Sequence, residues 1–152
     1  MIRRIRRAPL VHFATHGYAY GTEARSRDSF LAFASGEGRD GLLTVGEVLD
    51  LLPSIAADLV ILSACQTGLG DRKRAEGIVG LQRAFLAKGA RSVLVSLWSV
   101  NDETTDLLMR AFYKHWTSGI SKAESLRRAQ EEVSKSHPDP RHGAAFQLVG
   151  AS

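Results

Sequence analysis

The stretch Asp58-Leu-Val-Ile-Leu-Ser-Ala-Cys-Gln-Thr-Gly68 constrains this chain more than any other. Leu59 to Leu62 is apolar at every position, so both faces of the segment have to be covered. That pattern predicts a central parallel strand between two layers of helices. In open α/β sheets, ligands sit outside the carboxyl ends of the strands. The single cysteine, Cys65, therefore falls where such an architecture collects its chemistry. A chain of 152 residues is long enough for one domain with a real core.

The remaining segments predict a strand–helix alternation around this run. Leu10 to Ala14 reads as a buried strand that delivers Thr15-His16-Gly17, and Gly17 to Asp28 as a polar loop. Ser29 to Ala34 reads as a second strand, followed by a turn over Gly36 to Gly41. Thr44-Val-Gly-Glu47 fits a capping box, in which Thr44 bonds the N3 amide and Glu47 reaches back. Val45, Val48, Leu49 and Leu52 keep helical spacing until Pro53. Gln66 to Glu76 reads as a charged, glycine-containing loop, the natural mobile element beside the thiol. Ile78, Leu81 and Phe85 mark a helix from Gly77 to Lys88, with Gly89 just past its end.

Ser92 to Leu97 predicts another buried strand. Asn101 or Asp102 can cap the next helix, whose apolar face is Leu107, Leu108, Ala111, Phe112 and Trp116. Ser121 and Glu124 make a second capping box, for a helix that runs to about Lys135 before Pro138 and Pro140. Ala144 to Val149 is a last strand. The expected fold class is α/β, a three-layer α/β/α sandwich with a mostly parallel sheet. Many such folds carry a β-α-β unit before the first strand seen here, so an incomplete sheet is expected.

Composition narrows the classes. Hydrophobic residues make up 44% and charged residues 24%, ordinary for a globular protein. The net charge of +4 equals the contribution of Arg3, Arg4, Arg6 and Arg7. Residues 1–9 read as a basic arm, and no nucleic-acid surface follows from the rest. A lone cysteine excludes an intrachain disulfide framework and fits a reducing, cytoplasmic compartment. No apolar stretch suits a signal peptide or a membrane span.

The candidate chemistry is thiol chemistry. A cysteine attacks as its thiolate, and a free thiol titrates near ~8.5, so it needs a base or a positive environment. His16 ends one expected strand and Cys65 ends another, on the same edge of a parallel sheet. A histidine there can activate the thiol and later protonate a leaving amine. Backbone amides of Gly17 and Cys65 could hold the developing oxyanion. Against this stands the plainer reading of Cys65 as a small buried apolar residue. His12, four residues before His16, reads as a packed histidine on the same strand face. His12 and His16 lack the further ligands of a zinc site, so no metal or cofactor is expected. Gly36-Glu-Gly38-Arg-Asp-Gly41 has the letters of a dinucleotide fingerprint, but Leu42 and Leu43 intervene before the helix and two acids would face a pyrophosphate. Gly68 to Arg74 lacks the phosphate-loop spacing, and Arg72, Lys73 and Arg74 read as a solvated loop.

The residues His-Phe-Ala-Thr-His-Gly at 12–17, Leu-Leu-Thr at 42–44, Asp-Leu-Val-Ile-Leu-Ser-Ala-Cys-Gln-Thr-Gly at 58–68 and Ser-Leu-Trp-Ser-Val-Asn-Asp-Glu-Thr-Thr at 96–105 resemble the CHAT domain family. Phe112-Tyr113, residues 119–124 and Ala-Ala-Phe-Gln-Leu-Val-Gly at 144–150 continue the resemblance, which assigns residues 10–152 to one such domain.

CHAT domains are caspase-like cysteine peptidases, related in fold to caspases and separases. The resemblance implies a dyad of His16 and Cys65, with an oxyanion hole near Gly17 and Cys65. It implies that Trp98 to Glu103, with Trp98, Ser99 and Asp102 foremost, flanks the substrate. Asp102 would then select a basic P1 residue through a charge-assisted pair, unless it only caps its helix. Further implications are a protein or peptide substrate, a partner or sensor such as a tetratricopeptide-repeat region, and a cytoplasmic, bacterial signalling or defence setting. Neither nucleic acid nor membrane is expected as a partner. The alternatives are a silent caspase-like scaffold, favoured by the short start, and an acyl hydrolase or transferase that uses the same dyad.

Overall fold

The computed structural model describes residues 8–20, 23–36, 38–63, 71–98 and 100–152, with backbone alone at 23 and 71–78. Seven strands and five α-helices are found among them. Strands β1 (Leu10–Phe13), β5 (Leu59–Leu62), β6 (Ser92–Ser96) and β7 (Phe146–Gly150) form a sheet in the order β1-β5-β6-β7. The β1–β5 and β5–β6 pairings are parallel, and β7 returns antiparallel along β6. The fully apolar runs lie in the middle, where Leu59, Val60, Ile61, Val93, Leu94 and Val95 are each 0% exposed. Burial of such side chains on both faces is the main favourable term holding the layers together.

Alternation along the strands divides that core in two. Val11, Phe13, Val60, Leu62, Val93 and Val95 meet α1 (Val45–Leu51) and α2 (Asp71–Ala87) through Val48, Leu81 and Phe85. Leu59, Ile61 and Leu94 meet α3 (Asp102–Thr117) and α4 (Lys122–Ser136) through Leu108, Phe112, Leu126 and Val133. The expected three-layer α/β/α sandwich is the fold.

The elements depart from expectation where they are short or charged. His16–Tyr18 forms β2, and Phe30–Ala32 and Leu42–Thr44 form β3 and β4. These three make a separate antiparallel sheet in the order β2-β3-β4. The polar loop expected from Gly17 is thus partly strand, followed by a 3-10 turn over Glu23–Asp28. The turn expected over Gly36 to Gly41 is there, as the connection of the β3–β4 hairpin, with Gly38 and Gly41 at φ of 74° and 79°. A side chain at Gly41 would collide with the Phe33 carbonyl, so glycine is required where this hairpin closes.

Helix α2 already includes Asp71, ahead of the expected Gly77, so residues 71–76 of the expected charged loop are helical. Arg72, Lys73 and Arg74 stand in its first turn, where no loop separates them from the helix. Gly89, at φ 104°, closes α2 as expected. The capping box at Thr44 is complete, with Glu47 N donating to Thr44 Oγ1 at 3.0 Å and Thr44 N to Glu47 Oε2 at 2.9 Å. The box at Ser121 is half formed. Glu124 N donates to Ser121 Oγ at 3.3 Å, while the Glu124 carboxylate binds Arg127 and Arg128. Those two guanidinium groups hold the Glu124 carboxyl down at about 2. Pro140 opens a further short helix, α5 (Pro140–Gly143), at a position that needs no amide hydrogen. The basic arm over 1–7 and the loop over 64–70 lie outside the described residues. No helix among the described residues is long and apolar enough to cross a membrane.

Candidate active site

The site is built by the carboxyl edge of the parallel sheet. Phe13 pairs with Leu62, and Leu62 with Val95, across three adjacent strands. His16, Cys65 and Trp98 each follow these paired residues by three positions in sequence. Cys65 and Ser99 themselves lie outside the described residues.

His16 differs from expectation in one respect. It does not end β1; the chain turns after Phe13, and His16 opens β2 as an exposed side chain. Its sheet partner is Ala32, and the Thr15 hydroxyl donates to the Ala32 carbonyl, which fixes the turn between the two sheets. His12 and His16 consequently do not share a strand face. Gly17 sits in the middle of β2 opposite Leu31, not in the glycine turn expected of it.

On the other side of the edge, Trp98 is 38% exposed and its indole N–H donates to the Arg141 carbonyl at 2.7 Å. That bond leaves the ring standing at the rim. Asp102 occupies the first turn of α3, exposed, but it is not the cap. Asn101 is, accepting from Thr104 N at 2.8 Å. The acidic group is thus unused by capping, although a carboxylate near a helix N-terminus is favourable in itself. Leu107, expected on the buried face, is 39% exposed and borders the same end of α3.

Three residues the sequence reading did not join come together directly beneath this edge. His12 Nε2 lies 2.8 Å from Ser63 Oγ, and His12 Nδ1 lies 2.8 Å from the Tyr113 hydroxyl. Ser63 N donates to the Phe13 carbonyl at 3.2 Å, and Ser63 Oγ approaches the same oxygen at 3.4 Å. Burial pushes the His12 imidazole below its ordinary value and the Tyr113 phenol above its own, so both remain neutral near neutral pH. His12 is packed, as its sequence setting implied. The one available signal was the period of two, which sets His12 beside Ile61 and Ser63 on the face toward α3.

An open groove of about 800 Å³ lies between the β3–β4 hairpin and α1, lined by Phe33, Gly41, Leu42, Leu51 and Leu52 among others. Its acids are engaged locally: Glu47 in the capping box, and Asp40 with the Leu42 amide at 3.0 Å. It offers no nucleophile beside a base. Among the described residues, no cluster of three or more His, Cys, Asp or Glu side chains could hold a metal ion.

A mostly parallel four-stranded sheet between layers of helices, with the exposed His16 and Trp98 following strands of that sheet, is compatible with a caspase-like α/β sandwich. The CHAT domain model matches residues 1–151, and the chain belongs to that family, a caspase-like peptidase family. The chain is 41% identical to tetratricopeptide repeat protein 28 of Mus musculus over 115 residues, which are 74% of the chain and 5% of that protein. Against tetratricopeptide repeat protein 28 of Homo sapiens it is 38% identical over 112 residues, 72% of the chain and 4% of the relative. The chain thus spans about a twentieth of these relatives' length. Both are mammalian, so they lend no support to a bacterial setting.

Proposed function

We propose that the chain is a cysteine endopeptidase domain with a dyad of His16 and Cys65. The register of β1, β5 and β6 carries this reading: it supports a meeting of the two residues at one edge, with Trp98 alongside. His16 withdraws the thiol proton, and the Cys65 sulfur attacks the scissile carbonyl carbon. The carbonyl oxygen gains the negative charge, which amides near Gly17 and Cys65 stabilise. The tetrahedral adduct collapses, the C–N bond breaks, and the imidazolium passes its proton to the leaving amine. His16 then deprotonates a water that attacks the thioester, and the thiol is regenerated. No cofactor enters the balance.

Substrate main chain runs past Trp98 and Ser99, and Asp102 receives a basic P1 side chain. A tetratricopeptide-repeat region, suggested by the relatives' names, is the natural sensor or partner for such a domain. Regulated protein cleavage in a cytoplasmic signalling or defence pathway is the setting this reading implies.

Incubation with a defined peptide mixture, with mass-spectrometric identification of new termini, tests the activity. Cleavage that disappears in Cys65→Ala supports the reading; no cleavage at all by a cooperatively folded chain rejects it in favour of a silent scaffold, and cleavage that persists in the variant rejects Cys65 as the nucleophile. The Asp102→Ala variant should lose about tenfold or more of its cleavage after Arg and Lys while sparing apolar P1 residues, the scale of one charge-assisted pair. Equal loss on every substrate would remove Asp102 from the pocket.

A further inference from the structure

We propose that Tyr113, His12 and Ser63 form a positioning relay that fixes the ends of β1 and β5 from which the dyad departs. The geometry stands by itself; its catalytic consequence rests on the peptidase reading above.

The relay joins three distant segments. Tyr113 comes from α3, His12 from β1 and Ser63 from the end of β5, with sequence separations of 101 and 51 at the two 2.8 Å contacts. The Tyr113 ring is held by Phe112 at 5.7 Å and Trp116 at 6.5 Å between centroids, so its hydroxyl arrives on a rigid support. Ser63 is buried, and both its N–H and its hydroxyl face the Phe13 carbonyl.

One arrangement of hydrogens satisfies every group. The Tyr113 O–H donates to His12 Nδ1, His12 Nε2–H donates to Ser63 Oγ, and Ser63 O–H donates to the Phe13 carbonyl. In the reverse arrangement the Tyr113 hydrogen, on a half-buried side chain, goes to solvent, and Ser63 O–H turns from the Phe13 carbonyl to His12 Nε2. Both directions use a neutral histidine and a neutral tyrosine, the states that burial favours.

The arrangement that keeps the Ser63–Phe13 bond does not make Ser63 a nucleophile. A histidine that accepts at Nδ1 carries its hydrogen on Nε2 and cannot take the Ser63 proton. Ser63, 9% exposed, also offers no approach to a substrate. The chain of bonds therefore holds backbone rather than performing chemistry. Phe13 stands three residues before His16 and Ser63 two before Cys65, so both segments are tied to one another and to α3. A displacement of about 1 Å at such a point can lower reactivity by about 10²-fold.

The test uses the full chain with Tyr113→Phe, which keeps the ring and removes the hydroxyl, and Ser63→Ala. Residue-resolved amide hydrogen exchange and the pH dependence of Cys65 alkylation by iodoacetamide are measured on each. The relay predicts that the Ser63 amide exchanges about tenfold or more faster in Tyr113→Phe, with Val93 to Val95 unchanged. It also predicts that the alkylation midpoint of both variants moves from the wild-type value toward the ~8.5 of a free thiol. Wild-type exchange at Ser63 in Tyr113→Phe overturns the relay. Faster exchange with an unmoved midpoint overturns its link to the dyad. A wild-type midpoint already at the free-thiol value would instead reject the peptidase reading, and the relay would then stand or fall on Ser63 exchange alone.

Discussion

The two edges of the parallel sheet are held by opposite means. At the amino edge, the bonds are charged and dense. Lys122, 6% exposed, places Nζ 3.1 Å from Asp58 Oδ1 and 3.2 Å from the Asp58 carbonyl. Ser92 Oγ donates to that carbonyl at 2.9 Å, and the Asp58 amide donates to the Pro9 carbonyl at 2.8 Å. The Arg91 carbonyl in turn accepts the Ala151 amide at 2.8 Å, closing the edge over β7. At the carboxyl edge, the side-chain bonds described are neutral: Tyr113, His12 and Ser63 lie one layer down, and the Trp98 indole N–H donates to the Arg141 carbonyl at the rim. Above them His16, Trp98 and Asp102 are exposed. One edge is a fastening and the other a platform, the side of a parallel sheet where ligands usually sit.

Perturbing each edge separately can break this comparison. The largest effect is expected from Lys122→Ala, which leaves the Asp58 carbonyl and carboxylate without their buried cation. Because Asp58 is partly exposed, the loss should be about 2 kcal/mol, below the range for a fully buried pair. Denaturant unfolding measures it, and Cys65 alkylation per folded molecule should not change. A loss of reactivity that exceeds the loss of folded protein would mean that the edges are coupled.

A smaller effect is expected from Asn101→Ala. The missing cap on α3 should cost about 1 kcal/mol, and because Asp102 and the Trp98 rim adjoin it, cleavage after basic residues should weaken more than unfolding stability. Equal stability of the two proteins in urea would contradict the capping assignment.

The smallest effect concerns pH. Burial holds the His12 value below that of the unfolded chain, near 6.5. As pH falls through that unfolded value the unfolded state takes up a proton that the folded state resists, so the stability from this residue is present above it and lost below. The pH-dependence of unfolding between about 7 and 5 should therefore flatten in His12→Gln. An unchanged slope would show that His12 titrates alike in both states.

Much of the sandwich was legible because its decisive elements carry unambiguous patterns. Leu59 to Leu62 and Ser92 to Leu97 are apolar at successive positions, and Thr44 with Glu47 marks a helix start by mechanism rather than by propensity. The three-residue strands β2 and β4 escaped because three residues show no period, and β2 reads His-Gly-Tyr, with no run of β-branched residues. The helical residues before Gly77 escaped because Asp71 to Glu76 is dense in charge behind two glycines, although Arg, Lys, Ala and Glu are good helix formers. The expectation that His16 ends a parallel strand failed, because the chain turns after Phe13 and His16 opens β2 of the second sheet. Tyr113, His12 and Ser63 were not legible as a group, since their contacts bridge 101 and 51 positions and depend on how α3 crosses the sheet. The Asn101 cap freed Asp102 from the duty that sequence alone left open.

The measurement that bears most directly on the carboxyl edge is covalent labelling of Cys65 by peptidyl acyloxymethyl ketones with Arg, Lys, Leu or Asp at P1. Intact-mass spectrometry would compare wild type with His16→Ala. The account predicts labelling that varies with the P1 residue and falls by about 10²-fold or more without the imidazole, the scale of a lost general base. Equal labelling of the two proteins, or none while iodoacetamide still reaches the thiol, would contradict a working dyad.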